Sequence, residues 1–298
     1  MDRRREKRMT GKILIIGATG AVGRELLARL ETSGEEVLAA SRHPAGAASE
    51  VQTRARFVAF DLERPETFAP ALDGVDRVFL IARPGDEHAD RLALPLIDEM
   101  KRRGVRHVVN LSAMGAELRS GFALRKVELY LEDSGIGFTH LRPNWFMQVF
   151  SSGTLLGGLR ATGEIRIPAG HAKISYIDVR DIASVAALAL TEPGHRGKAY
   201  TLTGDEALDT TEVAQLLSHA AQRPLRYVPL SEDEARSTLR AAGFPDEWVE
   251  RLIHFYRFVR EGFCAPSSPD VCTVLGRPAR TFAAFAREHA SLWAAPSV

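Results

Sequence analysis

Cysteine is scarce in this sequence of 298 residues, and long apolar runs are absent. The two cysteines, Cys264 and Cys272, do not have Cys-x-x-Cys spacing, so they cannot form a four-ligand zinc site by themselves. We therefore expect no metal site, and we expect a reducing cytoplasm as the setting. Because no run of about eighteen apolar residues is present, we expect no membrane-spanning helix.

Positive and negative charges nearly balance, because the sequence has 39 Lys and Arg residues and 38 Asp and Glu residues. Residues 1–10 hold five of the basic residues and two of the acidic ones, so the remainder carries a net charge of +1 − 3 = −2. Nucleic acids and acidic membranes bind clustered Lys and Arg, so we expect neither as a partner. We interpret residues 1–10 as a disordered basic tail rather than an export signal, since the apolar segment KILIIG that follows is short.

The hydropathy pattern favours a globular α/β fold. The chain is 45% hydrophobic and 26% charged, which is typical of a soluble protein with a sizeable core. Near-continuous apolar segments alternate with amphipathic ones, as in parallel strands that helices cover on both faces. The predicted strands are 12–16, 36–41, 55–60, 77–82, 107–112 and 137–142. Together they predict a doubly wound Rossmann sheet.

Beyond Pro143 the pattern is less regular. We predict a helix at 145–159 and mostly helices after residue 210. The expected organisation is a Rossmann domain at 11–150, followed by a mixed region at 151–298. This mixed region would hold late Rossmann elements and a smaller, mostly helical substrate lobe. The oligomeric state is left open.

The strongest motif is a glycine-rich turn between the first predicted strand and the first predicted helix. Three glycines, each three residues from the next, occur in the segment GATGAVG. Glycine permits a tight turn, a close approach of backbone N–H groups to a pyrophosphate, and close packing of the helix. The motif predicts a dinucleotide site, with contacts from Gly17, Thr19, Gly20, Ala21, Val22 and Gly23.

The end of the second strand indicates which dinucleotide binds. An acidic residue there would bind a ribose hydroxyl and repel the additional phosphate of NADP. The sequence has Ser41 and Arg42 instead, and a guanidinium suits a phosphate. We therefore predict NADP(H), with Arg42 as the main charged contact. Position alone predicts further cofactor contacts after the third and fourth strands, at Asp61, Leu62, Ile81, Ala82 and Arg83.

Several segments together resemble the NmrA-like atypical short-chain dehydrogenases and reductases. They are the glycine motif, Ser41-Arg42, the strand end Asn110-Leu111-Ser112, and the run DSGIGFTHLRPNWFMQVF. Later segments at 174–186 and 197–217 also match, so the resemblance covers most of the chain. That family includes quinone reductases, ketoreductases of alkaloids and polyketides, and NADP-sensing regulators without turnover. Within it, the chain resembles the aromatic-polyketide ketoreductases of the simocyclinone type.

The resemblance also implies where the reaction site lies. Pro143 and Asn144 follow the sixth strand and would flank the nicotinamide. Trp145 and Phe146 come next and would contact the substrate. The alternative is that these two aromatic residues belong to the core.

The usual acid of short-chain dehydrogenases, a tyrosine followed four residues later by a lysine, is absent. The residues four positions after the tyrosines are Ser134, Arg180, Gly204, Ser231 and Arg260. The nearest remnant runs from Phe122 to Lys126, and a phenyl ring cannot donate a proton. Ser112 and Lys126 remain as the candidate catalytic residues, and Ser112 is also a candidate cofactor contact.

We therefore predict an NADPH-dependent ketoreductase. Its substrate would be a small aromatic molecule, either an aromatic polyketide or a quinone-like compound, and the proton would come from a substrate hydroxyl or from water. Two alternatives stay open: an NADPH:quinone oxidoreductase, and a non-catalytic NADP(H)-sensing regulator that binds a partner protein. Of the 39 basic residues, six are lysines, so 39 − 6 = 33 are arginines. This excess of arginine indicates a GC-rich bacterial source, in which antibiotic biosynthesis would be a plausible role.

Overall fold

The computed structural model describes residues 11–82 and 86–294. The chain forms two compact units. The first contains the described residues up to Pro143 together with Val179–Thr201, and the second contains Asn144–Asp178 and the described residues from Leu202 onward. The expected border at residue 150 thus falls within the second unit, and the region 151–298 contributes to both units.

A seven-stranded sheet organises the first unit, in the order β3-β2-β1-β4-β5-β6-β8. The neighbouring strands from β3 through β6 pair in parallel, and the order reverses between β1 and β4. This reversal is the switch point of a doubly wound fold, so the predicted Rossmann fold is confirmed. The strands are β1 (Lys12–Ile15), β2 (Glu36–Ser41), β3 (Arg56–Ala59), β4 (Val75–Ile81), β5 (His107–Leu111), β6 (Gly137–Pro143) and β8 (Lys198–Leu202).

Helices cover the sheet because each presents an apolar face to it. In α1, four apolar residues at helical spacing are buried, and α1 packs against α7. The strands β4 and β5 are buried along most of their length, as expected for strands covered on both faces. The helices of this unit are α1 (Ala21–Leu30), α2 (Pro44–Glu50), α3 (Phe68–Ala71), α4 (Ala89–Arg102), α5 (Ala123–Asp133) and α7 (Val179–Thr191).

The second unit is mostly helical, but it also contains a parallel pair of short strands, β7 (Glu164–Ile167) and β9 (Arg226–Pro229). Capping boxes at Asp209 and Ser231 fix the starts of two of its helices. Its helices are α6 (Leu156–Ala161), α8 (Thr210–Ala221), α9 (Glu232–Ala241), α10 (Asp246–Arg260), α11 (Asp270–Leu275) and α12 (Phe282–Glu288). None of the helices that the structure describes is long and apolar enough to cross a membrane.

The prediction of a continuous helix at 145–159 is wrong. The structure has a 3-10 turn at Met147–Phe150, and α6 begins only at Leu156. The segment between them reads SSGTL, and serine and glycine have low helix propensity. Gly153 also lies so close to the backbone of Val149 that a β-carbon would come within 2.6 Å of it.

Two histidines are buried in the first unit. The Nε2 atom of His107 lies 3.1 Å from the hydroxyl of Thr139, and Nδ1 of His140 lies 3.4 Å from the amide nitrogen of Asn110. Burial lowers the pKa of each ring to about 4. Neighbouring cations add to this effect at His107, whereas neighbouring carboxylates oppose it at His140.

We predict that the free energy of unfolding falls as the pH decreases from about 6.5 to about 4. In this window the unfolded chain protonates both histidines and the folded chain does not, so protons favour unfolding. The full difference is on the order of 3 kcal/mol per histidine. Urea unfolding at several pH values would measure it. The variants His107→Asn and His140→Asn should each show a shallower pH dependence than the native chain, and an unchanged dependence in both would contradict the prediction.

Candidate cofactor and reaction site

The glycine-rich turn has the geometry of a phosphate cradle. Gly17 adopts a φ of +75°, and the N–H of Gly20 donates to the carbonyl oxygen of Gly17 at 3.0 Å. A β-carbon on Gly23 would lie 2.1 Å from that same oxygen, so only glycine allows α1 to begin this close to the turn. No side chain caps α1, and Thr19 and Gly20 are exposed. The first-turn N–H groups can therefore bind an anion, and these residues fit a dinucleotide pyrophosphate.

The end of β2 presents an exposed cation. Arg42 is exposed and makes no ion pair within the described parts of the chain. Ser41 is half-buried, and its hydroxyl accepts a hydrogen bond from the N–H of His43 at 3.1 Å. These residues are compatible with a phosphate on the adenosine ribose, as predicted.

The remaining predicted cofactor contacts lie at the ends of β3 and β4. Asp61 and Leu62 are half-buried, and one carboxylate oxygen of Asp61 accepts from the N–H of Glu63 at 3.1 Å. The structure brings Ile81 to the glycine turn, since a β-carbon on Gly17 would lie 2.8 Å from the Ile81 side chain. Ala82 is fully buried. The predicted contact Arg83 lies outside the described residues.

Ser112 directly follows β5, at the carboxyl edge of the sheet, where ligands bind in doubly wound folds. Its N–H donates to the carbonyl oxygen of Leu141 in β6 at 2.8 Å, which fixes its backbone. The residue is 5% exposed, and its hydroxyl has no hydrogen-bond partner of normal geometry among the described residues. A buried hydroxyl that lacks a partner is a candidate contact for a ligand.

Glu128 lies beside Ser112, and the sequence analysis did not select it. It is on α5, it has no exposed surface, and it accepts two hydrogen bonds from Arg142, at 2.9 and 2.8 Å. A third comes from Arg125 at 2.8 Å. Burial alone would raise the pKa of Glu128, but the hydrogen bonds from Arg142 and Arg125, together with the nearby Ser112 hydroxyl, outweigh this effect and lower it. Glu128 is therefore an ionised carboxylate rather than an acid.

A signal for Glu128 was present in the sequence. The buried positions of α5 include Leu124, Val127 and Leu131, and Glu128 occupies the same apolar stripe. An acidic residue at a core-facing helical position requires a buried partner. Only the structure identifies that partner as Arg142 on β6.

The structure does not bring Lys126 to Ser112. The Lys126 ammonium lies 3.3 Å from a carboxylate oxygen of Asp90 on α4, and its side chain is half-exposed. Two residues along a helix correspond to about 200° of rotation, so Lys126 and Glu128 lie on different faces of α5. A catalytic role for Lys126 has no support from this geometry, and our proposals do not use it.

Four of the five tyrosines have raised pKa values, which do not suit an acid catalyst. Hydrogen bonding to Asp98 raises the pKa of Tyr130, and burial raises those of Tyr176, Tyr227 and Tyr256. The fifth tyrosine, Tyr200, contacts the His195 ring, with its hydroxyl 2.9 Å from Nδ1. An efficient general acid has a pKa near the working pH, and raised values move a phenol away from it.

The four residues at the end of β6 and just after it that were predicted to contact a ligand differ in how far their side chains are buried or already hydrogen-bonded. The side-chain amide of Asn144 donates to Ser175 and to the carbonyl oxygen of Cys264, each at 2.8 Å. Its N–H groups are therefore used within the second unit. Trp145 and Phe146 are half-buried, and the Trp145 ring lies 5.1 Å from the ring of Tyr256. Pro143 is buried in the first unit.

Comparison with known proteins agrees with this geometry. The profile of an NAD(P)H-binding family matches residues 17–193, which is more than half of the chain. The chain therefore belongs to this family of NAD(P)H-binding proteins, which is consistent with the resemblance of its sequence to the NmrA-like atypical short-chain dehydrogenases and reductases.

Two curated relatives match over nearly their whole length. An NAD(P)H azoreductase of Xenophilus azovorans is 36% identical, over 95% of this chain and 99% of the relative. A (4-alkanoyl-5-oxo-2,5-dihydrofuran-3-yl)methyl phosphate reductase of Streptomyces griseus is 37% identical with the same coverage. Among solved structures, an NADPH-dependent quinone oxidoreductase of Escherichia coli, complexed with NADPH, is 26% identical with a TM-score of 0.82. That comparison covers 93% of this chain and 99% of the other.

We predict that Gly23→Ala weakens NADP(H) binding by about tenfold or more, because the new β-carbon displaces α1 from the Gly17 carbonyl. Fluorescence titration with NADPH would measure the affinity. Gly46→Ala is the matched control, since Gly46 lies in α2 with no atom within 4 Å of its β-carbon position. The control should bind NADPH normally and gain about 0.5–1 kcal/mol of stability. Normal binding by Gly23→Ala would contradict the assigned cradle.

We predict that Arg42→Ala raises the dissociation constant for NADPH about tenfold or more and changes that for NADH by less than about twofold. A charge-assisted hydrogen bond to the ribose phosphate is present only in the NADPH complex. Arg56→Ala provides the control, because Arg56 is also exposed. It begins β3 and therefore lies at the amino ends of the strands, whereas Arg42 follows the carboxyl end of β2. Equal weakening of both cofactors would refute the role of Arg42.

Proposed function

We propose that this protein is an NADPH-dependent reductase of flat conjugated acceptors, with quinone-like molecules and aromatic polyketide carbonyls as its substrate classes. The observation that carries this proposal is the edge of the sheet after β5, which offers the hydroxyl of Ser112 and no tyrosine acid. The azoreductase and quinone oxidoreductase among its relatives, named for conjugated acceptors, support it.

A conjugated acceptor suits a site without a strong acid. When bound, the reduced nicotinamide supplies a hydride, which carries two electrons, and one further proton completes the reduction. An isolated ketone would become a localised alkoxide and would need an acid beside it. A conjugated acceptor spreads the negative charge over several atoms, so water or a hydroxyl of the substrate can deliver the proton.

The residues of the site then hold the acceptor rather than protonate it. Ser112 binds a polar group of the acceptor at the carboxyl edge of β5, and Glu128 stays ionised beneath it. We also propose Trp145 and Phe146 as contacts to the aromatic rings, and the glycine turn and Arg42 as the NADPH contacts. Holding the reacting atoms in line supplies much of the rate enhancement.

The proposal is tested by the loss of NADPH absorbance with purified protein and a panel of quinones, azo compounds and phenolic aromatic ketones. Product masses distinguish an alcohol or a hydroquinone, each of which consumes one NADPH and one proton, from the two amines of an azo compound, which consume two of each. Gly23→Ala serves as the control that weakens the cofactor cradle, so at subsaturating NADPH it should lower the rate with every acceptor by a similar factor. If no acceptor is reduced while NADPH still binds tightly, the reductase proposal fails and a non-catalytic NADP(H) sensor takes its place.

A further inference from the structure

A row of polar side chains lies between α5 and the sheet, where apolar packing is the rule. Alternate residues of a strand share one face, so Asn110 and Ser112 face the same side as their neighbours His140 and Arg142. The contacts of Arg142 with Glu128 show that this side faces α5. Ser112 therefore lies beside the ion pair of Arg142 and Glu128.

The hydrogen bonds of Glu128 leave one acceptor position open. A carboxylate offers about four lone-pair positions. Arg142 takes one on Oε1 and one on Oε2, and Arg125 takes the second on Oε2. The remaining position is on Oε1, and the Ser112 hydroxyl, which has no other partner of normal hydrogen-bond geometry among the described residues, is available to donate to it. Ser112 is also among the groups that lower the pKa of Glu128.

Two groups can receive the proton of Ser112: the Glu128 carboxylate or a carbonyl oxygen of a bound acceptor. A hydrogen bond to an ionised group is about twice as strong as one between neutral groups. The carboxylate therefore holds the proton, and the lone pairs of the Ser112 oxygen remain for the ligand. In this arrangement Ser112 donates its proton to Glu128, accepts a hydrogen bond from the ligand and donates none to it.

We propose that Glu128 is a positioning residue that fixes Ser112 as a hydrogen-bond acceptor, so that the site selects molecules with an N–H or O–H beside the reducible bond. This inference rests on the proposed reductase function. It specifies the substrate class further, because a ligand that offers only acceptor atoms at this position would leave the Ser112 oxygen without a donor. A buried polar atom without a partner weakens binding.

The test compares two naphthoquinones that differ by one N–H: one carries a methylamino group beside the carbonyl, and the other a dimethylamino group. The native protein should prefer the methylamino compound by about tenfold in kcat/KM, and by a similar factor in dissociation constant with NADP⁺ bound. Ser112→Ala should remove most of this preference, whereas Ser112→Thr, which keeps the hydroxyl, should retain it. Comparing the ratio between variants cancels differences in the reactivity and size of the two quinones.

Ser49→Ala is the matched control, because the hydroxyl of Ser49 is exposed on α2 and, among the described residues, bonds only to the carbonyl oxygen of Ala45. The preference should be unchanged there. Glu128→Gln should reduce the preference while Ser112 is intact. If that variant does not fold, the double variant Glu128→Gln with Arg142→Met removes both charges and should show the same loss.

Each outcome decides one claim. The acceptor role of Ser112 is overturned if the native protein uses both quinones equally. It is also overturned if the native protein prefers the dimethylamino compound and Ser112→Ala removes that preference. Both outcomes leave the reductase function intact. A preference that persists in a folded Glu128 variant overturns the role of Glu128. If neither quinone nor any other acceptor is reduced, it is the reductase function that fails; the binding measurement with NADP⁺ still tests the selection by Ser112.

Discussion

The contact between Gly23 and the carbonyl oxygen of Gly17 is the constraint on which the cofactor site depends. Since residue 23 has no β-carbon, the first turn of α1 can lie directly over the end of β1. This placement directs the free N–H groups of α1 toward the carboxyl edge of the sheet. The same edge carries Arg42 after β2 and Ser112 after β5, because parallel strands end on the same side. In the proposed function, this one short contact sets where the cofactor and the acceptor meet.

Local chemistry made much of the first unit predictable from the sequence. The central strands of the parallel sheet are buried on both faces, so they appear as nearly continuous apolar segments. The six predicted strands coincide with β1 to β6 within two residues at either end. The glycine turn was equally clear, since Gly17 has a positive φ and Gly23 lies against a backbone oxygen, and both conditions favour glycine. These features depend on neighbouring residues in the sequence.

The features that were missed depend on residues far apart in the sequence. The short strands β7 and β9 pair with each other across about sixty residues, and neither EIRI nor RYVP shows a strand pattern strong enough to stand alone. The ion pair between Glu128 and Arg142 likewise joins α5 to β6. Lys126 was selected by its spacing from Phe122, but the rotation of α5 directs it to Asp90. Spacing along the chain cannot show which face of a helix meets the sheet.

Stability does not explain why a charged pair occupies the contact between α5 and the sheet. Burying two charges costs several kcal/mol per ion in desolvation, and apolar residues of similar volume often serve as well or better, by about 1–4 kcal/mol. The neighbouring positions of α5, Leu124, Val127 and Leu131, show that apolar packing is available there. The pair lies next to the one hydroxyl that ends β5, where a fixed orientation would matter for a ligand. A site that lacks a tyrosine acid has little use for a freely rotating hydroxyl, but it can use a fixed acceptor that selects substrates bringing their own proton.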